Sequence, residues 1–194
     1  MSFKRNISII GGAGHVGFPL GLIFGSKGYK VSLIDKDKKN INKINNGDTP
    51  FLEENSKTLL KKLIKKKKIF ASNNLSQVKK SKYIIVCIGT PIGSNLKPLI
   101  RDFLNFFYNL KKFIKKDHIV IIRSSIYPGI CDKVFKIISK KCSNLSYCPE
   151  RIVQGKSIKE LPKLPQLISG KNNNAIKHSA DIFKRVCKKI ISTN

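Results

Sequence analysis

The residues with the clearest chemical meaning lie near the start of the chain, in Ile10-Gly11-Gly12-Ala13-Gly14-His15-Val16-Gly17-Phe18-Pro19. Gly12, Gly14 and Gly17 form G-x-G-x-x-G directly after an apolar run and at the opening of a segment with helical period. In that context the first glycine permits a tight turn, the second lets backbone approach a pyrophosphate, and the third lets the helix pack closely on the strand. Unsatisfied N–H groups and the dipole at a helix start attract phosphate. Pro19 falls in the first turn of that helix, where a missing N–H costs little. A second apolar run, Val31-Ser32-Leu33-Ile34, ends at Asp35, 18 residues beyond Gly17. A carboxylate at that spacing meets the hydroxyls of an adenosine ribose and repels a 2′-phosphate, so NAD is expected over NADP. Lys36, Lys38 and Lys39 stand close enough to soften that preference. His15, in a variable slot of the motif, reads as a helix-start residue rather than a catalyst.

Three further polar residues follow later apolar runs: Thr90, Ser125 and Glu150. Taken singly they read as a turn-forming Thr-Pro, a helix-capping serine and a surface glutamate. As an ordered set at successive strand ends they fall where open α/β sheets bind ligands. Small hydroxyls there can donate to pyrophosphate, ribose or carboxamide without crowding. The five cysteines (Cys87, Cys131, Cys142, Cys148 and Cys187) are odd in number and never spaced as C-x-x-C, so reduced thiols acting as small apolar residues are expected.

These residues need a frame. Continuous apolar runs at 7–10, 31–34, 83–88 and 119–122, with weaker ones at 69–71, 145–148 and 167–169, predict strands covered on both faces. Helical period predicts helices over 16–27, 38–45, 56–66, 99–115, 129–140 and 174–191, the last running almost to the final residue. Strand and helix in alternation imply right-handed crossovers and a Rossmann-type, doubly wound parallel sheet in a single α/β domain over 1–194.

At 194 residues the chain is long enough for one sizeable core, and 41% hydrophobic residues place it in the globular class. No apolar run reaches the roughly 18–20 residues of a membrane span, and the first residues enter a strand pattern with no secretory signal, so a cytoplasmic setting is expected. The formal net charge of +28 opens the question of a polyanionic partner. The 34 lysines are spread along the whole chain among abundant isoleucine and asparagine, a composition typical of AT-rich genomes. A solvated lysine surface is the preferred reading. A field favouring anionic nucleotides and a basic nucleic-acid binder remain alternatives, the latter without any zinc-finger or RNP-like motif.

Beyond the glycine turn, four more segments appear in order. Asp35-Lys36-Asp37 leads to Asn45-Asn46-Gly47-Asp48-Thr49-Pro50-Phe51-Leu52-Glu53-Glu54. Then come Ile85-Val86-Cys87-Ile88-Gly89-Thr90-Pro91, Ile122-Arg123-Ser124-Ser125-Ile126-Tyr127-Pro128-Gly129, and Tyr147-Cys148-Pro149-Glu150-Arg151-Ile152-Val153-Gln154-Gly155-Lys156. Together with the glycine turn, these resemble the NAD-binding domain of the UDP-glucose/GDP-mannose dehydrogenase family. The wording around Glu150 resembles members that oxidise UDP-N-acetylmannosamine or UDP-N-acetylglucosamine.

The resemblance implies NAD as cofactor, held by Gly12, Ala13, Gly14, His15, Val16, Gly17, Asp35, Thr90, Pro91, Ser124, Ser125 and Gln154. It implies a polysaccharide-precursor oxidation in which the C6 alcohol of a UDP-sugar becomes a uronate with two NAD, through an aldehyde captured by a cysteine and a thioester then hydrolysed. Glu150 would do general acid/base work on the hydrolytic water, with Ser125 hydrogen bonding near that water or the cofactor. The family's nucleophilic cysteine, in G-x-G-G-x-C-[FL]-P-K-D, has no counterpart in this sequence. Nor do its central helical domain, which forms the family homodimer, and its UDP-binding domain. Cys148 occupies a position often filled by asparagine and is not expected to replace the nucleophile. Asn40 stands where many members carry Lys or Arg near the ribose, and Lys39 is the alternative for that contact. The chain alone is therefore expected to bind NAD without turning over a UDP-sugar. A free-standing, non-catalytic NAD-binding module is the alternative.

Overall fold

The computed structural model describes residues 5–90, 100–152 and 155–193. Pro91 and Gln154, both expected cofactor contacts, lie outside the described residues. Eight strands form one sheet: β1 (Asn6–Ile10), β2 (Lys30–Ile34), β3 (Ile69–Ser72), β4 (Tyr83–Val86), β5 (Ile119–Ile122), β6 (Leu145–Tyr147), β7 (Gln166–Gly170) and β8 (Ile190–Ser192). Their order is β3-β2-β1-β4-β5-β6-β7-β8. Pairing is parallel from β3 across to β6, with Ile7 opposite both Val31 and Tyr83. The doubly wound parallel sheet is thus present, with β7 added antiparallel to β6 and β8 parallel to β7.

The continuous apolar runs have the expected cause. All four residues of β5 are fully buried, Ile119 and Ile121 facing one core and Val120 and Ile122 the other. The first core packs against α1 (Gly17–Ser26), α2 (Lys38–Asn45), α3 (Ser56–Lys65) and α7 (Asn173–Phe183). The short α6 (Ser157–Glu160) lies against α1 on that same side. The second core packs against α4 (Ile100–Leu110) and α5 (Ile130–Ile138). Between β3 and β4 the crossover is only a 3-10 helix over Leu75–Lys80. At the free side of β3, Asn45 completes the strand's hydrogen bonding: its amide donates to the Ala71 carbonyl at 2.9 Å and accepts from the Ala71 N–H at 2.8 Å.

One predicted element is corrected. The last helix does not reach residue 191; it ends at Phe183, and Ile190–Ser192 forms β8. Arg185 and Val186 close the helix with tight bonds to Ile182 and Phe183, and β7 then offers an unpaired edge that Ile190–Ser192 takes up. The sequence from Lys184 to Lys189 has no glycine or proline to mark this stop, so the pairing partner decides it. Among the described residues no helix is long and apolar enough to cross a membrane.

Candidate cofactor site

The sheet reverses its winding between β1 and β4, and that is the switch point where such folds open a ligand crevice. Every expected site residue among those described lies at the carboxyl ends of β1, β2, β4, β5 or β6. Gly11 and Gly12 both donate to the Ile34 carbonyl at 2.9 and 3.0 Å, which locks the turn onto the end of β2. Division of labour among the glycines differs from expectation. The positive φ of +75° falls on Gly11, where a Cβ would also lie 2.6 Å from the Cys87 carbonyl oxygen. Gly12 instead allows contact with β2, since its Cβ would meet Leu33 Cα at 2.7 Å. Gly17 supplies the close packing expected of it, with Gly11 O only 2.2 Å from a built Cβ, while Gly14 faces open space except for that oxygen at 3.3 Å. The open side of Gly14 is the approach a pyrophosphate needs.

Helix α1 begins at Gly17, and among the described residues no acceptor takes the N–H groups of His15, Val16 or Gly17. They are the orphan donors of a helix start and point the site's positive end outward. Asp35 closes the other wall. Its Oδ2 accepts from Ala13 N at 2.9 Å and its Oδ1 from Asp37 N at 3.2 Å. Asn40 turns its side chain onto Asp37 Oδ2 at 2.9 Å and its N–H onto Asp37 Oδ1, so it serves the cap of α2. His15 is exposed and its ring stacks on Phe51, centroids 3.9 Å apart.

On the β4–β5 side, Thr90 donates to the Ser125 carbonyl at 2.8 Å, tying the two strand-end loops together. The Ser125 side chain is exposed, whereas Ser124 is buried with its hydroxyl directed at the Val86 carbonyl, 3.3 Å away. Glu150 is half-buried. One oxygen accepts from Arg151 N at 2.7 Å, and the other pairs with the Arg123 guanidinium. With His15, Val16, Pro19 and Leu20, it lines a cleft between the start of α1 and α6. The glycine turn and the candidate acid/base carboxylate therefore share one opening.

Sequence reasoning did not single out two residues that shape this site. Arg123 is only 1% exposed, yet it binds Glu150, the Gln166 side chain at 2.8 Å and the Cys148 carbonyl at 3.3 Å, and it stacks over Phe183. The available signal was its place directly after four apolar residues, where a cation needs a built counter-charge. Glu53, 6% exposed, accepts from Ile158 N at 3.1 Å and fastens the segment after β6 to the 51–54 loop.

The cysteines behave as the sequence suggested. All five are free, and burial is the first cause that pushes each thiol up: Cys87 and Cys148 to about 12, Cys131 and Cys187 to about 11, and Cys142 in the same direction. None has the depressed pKa of a nucleophile. Among the described residues no group of three or more His, Cys, Asp and Glu could hold a metal ion.

Residues 5–187 match the model of the UDP-glucose/GDP-mannose dehydrogenase family's NAD-binding domain. The chain belongs to that family. As its NAD-binding domain, it is 31% identical over 184 residues to the UDP-N-acetyl-D-mannosamine dehydrogenase of Methanococcus vannielii, covering 93% of this chain and 42% of that protein. Its fold matches the solved UDP-D-ManNAc dehydrogenase of Pyrococcus horikoshii with a TM-score of 0.88 at 24% identity, covering 97% of this chain and 47% of the other. A GDP-mannose dehydrogenase from Pseudomonas aeruginosa superposes with a TM-score of 0.89 at 21% identity, covering 98% and 46%. The chain thus spans less than half the length of these relatives. NAD is the cofactor of the domain to which these residues correspond.

Proposed function

We propose that this chain supplies the cofactor half of a nucleotide-sugar 6-dehydrogenase, which oxidises the C6 alcohol of a UDP-N-acetylhexosamine or UDP-hexose to a uronate with two NAD. The observation that carries the reading is the cleft in which Glu150 stands beside the first turn of α1. The free N–H groups of His15, Val16 and Gly17 receive the pyrophosphate, and Asp35 takes the adenosine ribose hydroxyls. Ala13, Thr90 and Ser125 complete the site among the described residues. NAD, when bound, supplies the hydride acceptor. Glu150, held by Arg123 and the Arg151 N–H, exchanges a proton with water, and the Ser125 hydroxyl orients that water or the cofactor. A cytoplasmic setting, where five unpaired thiols stay reduced, completes the proposal.

Oxidising an aldehyde by hydride transfer first requires a tetrahedral adduct, which the family makes with a thiolate outside the matched domain. No cysteine here has a pKa suited to that task. Without a uridine-binding domain the sugar would also be unheld, forfeiting most of the gain from orientation. The same inert thiols favour a second reading, a non-catalytic NAD-binding module. The test is to incubate the purified 194-residue chain with NAD and UDP-N-acetylmannosamine, UDP-N-acetylglucosamine or UDP-glucose and follow NADH absorbance. No sustained signal is expected. Two NADH per sugar would show that this half suffices, and a nucleophile-bearing second half that restores turnover would exclude the non-catalytic module.

A further inference from the structure

At the opposite end of the sheet from the glycine turn, a cavity of about 110 Å³ is lined by Asn6, Lys30, Ser32, Phe70, Gln77, Lys80 and Ser81. It exists because the β3–β4 crossover is a six-residue 3-10 helix, which leaves part of the β1–β2–β3 face uncovered. The strands have polar residues where their neighbours are apolar: Ser8 of β1 lies in register with Ser32 of β2. Ser32 is 7% exposed and lines the cavity. Ser8 and Ser81 share one hydrogen bond of 2.8 Å, in which either hydroxyl is the donor. When Ser8 donates, the Ser81 proton is left over and needs an acceptor.

The cavity's walls are therefore rich in donors. Lys30 and Lys80 add two ammonium groups that enter no ion pair among the described residues, and no acidic side chain lines the space. Hydroxyl and amide donors with two unneutralised cations around one cavity, and no carboxylate, suit an acceptor bearing negative charge. We infer that this cavity is a binding site for a small oxyanion, a free phosphate or the phosphoryl group of a metabolite, separate from the NAD site.

The experiment is an amide NMR titration of the NAD-saturated chain with sodium phosphate at constant ionic strength, with chloride as reference and a sugar monophosphate as a second arm. Saturable shifts are expected at Lys30, Ser32, Gln77 and Ser81, while the Gly12–Gly17 amides stay still. Tighter binding of the monoester than of phosphate identifies the metabolite as the source; the reverse identifies free phosphate. Lys30 and Lys80 are exposed, so the double variant Lys30→Ala, Lys80→Ala keeps the fold, checked by its melting curve. Removing two charge-assisted contacts should weaken binding by about tenfold or more. Ser32→Ala should weaken it further, and arginine at 30 and 80 should restore it. Shifts that rise linearly, spread over lysines across the surface, match those in chloride, or persist in the double variant would mean an adventitious ion only or a cavity filled by water, and would overturn the inference.

Discussion

Asp35 at the end of β2 holds the amide of Ala13 through Oδ2 at 2.9 Å, so the carboxylate proposed to read the ribose also fixes the shape of the glycine turn. These two roles separate by substitution. Asp35→Ala removes both and should weaken NAD binding by roughly tenfold while narrowing the preference over NADP. Asp35→Asn keeps an acceptor for Ala13 N but loses the charge, so NADP should gain relative to NAD with the turn intact. Calorimetry of the parent and both variants checks this. Equal affinity of the parent for the two cofactors would remove Asp35 from its assigned role.

The glycines of the turn should respond differently to a methyl group. Gly17→Ala places Cβ 2.2 Å from Gly11 O, a backbone atom that cannot swing away. A loss of about 1–3 kcal/mol in stability is expected, together with loss of NAD binding. Gly14→Ala meets only Gly11 O at 3.3 Å and should fold almost as the parent does, yet bind NAD more weakly because the methyl occupies the pyrophosphate's approach. Thermal melts paired with calorimetry distinguish the two; a Gly17→Ala variant that melts with the parent would contradict the packing argument.

Most of this site was legible because phosphate-binding turns carry their requirement in residue type. Gly12, Gly14, Gly17 and Asp35 were identifiable from spacing, and Thr90, Ser125 and Glu150 from their places after apolar runs. What the spacing did not reveal was which neighbour each group would face. Gly11, not Gly12, takes the positive φ, and the Cys87 carbonyl fills the place a side chain there would need. Ser124 turns inward to Val86, although its neighbour Ser125 is exposed. The partnership of Arg123 with Glu150 joins residues 27 positions apart on two strand ends, a contact set by sheet register rather than by local pattern. Likewise β8 depends on an edge of β7 that no periodicity in the last residues announces.

Arg123 is predicted to be the most sensitive polar residue of the domain. Arg123→Met leaves the buried side of Glu150, the Gln166 side chain and the Cys148 carbonyl without their donor. Breaking a buried pair from one side costs about 3–5 kcal/mol. For a chain of this length each kcal/mol lowers the melting temperature by roughly 2–4 °C, so a drop near 10 °C is expected. The double variant Arg123→Met, Glu150→Gln should recover part of it. Equal melting of parent and single variant would contradict the pairing.

His118 gives the domain an acid-sensitive point. It is fully buried, its Nδ1 accepts from Lys115 N at 2.9 Å, and burial, aided by the charges of Lys115 and Lys82, lowers its pKa to about 4. A histidine whose folded pKa is depressed contributes stability above its unfolded value near 6.5, and this is lost as pH falls toward 4. Urea unfolding at a series of pH values should show that decline, and His118→Asn, which keeps an acceptor for Lys115 N, should flatten it. An identical pH slope in the variant would assign the loss elsewhere.

The central claim is that NAD seated on the glycine turn reaches the cleft occupied by Glu150. An amide NMR titration of the chain with NAD tests it most directly. Saturable shifts are predicted both at Ala13, Gly14, His15, Val16 and Gly17 and at Glu150, Arg151 and Ile152, and the latter group should remain unmoved when ADP-ribose, which lacks the nicotinamide, replaces NAD. Shifts confined to the turn with both ligands, or absent from it altogether, would contradict the account.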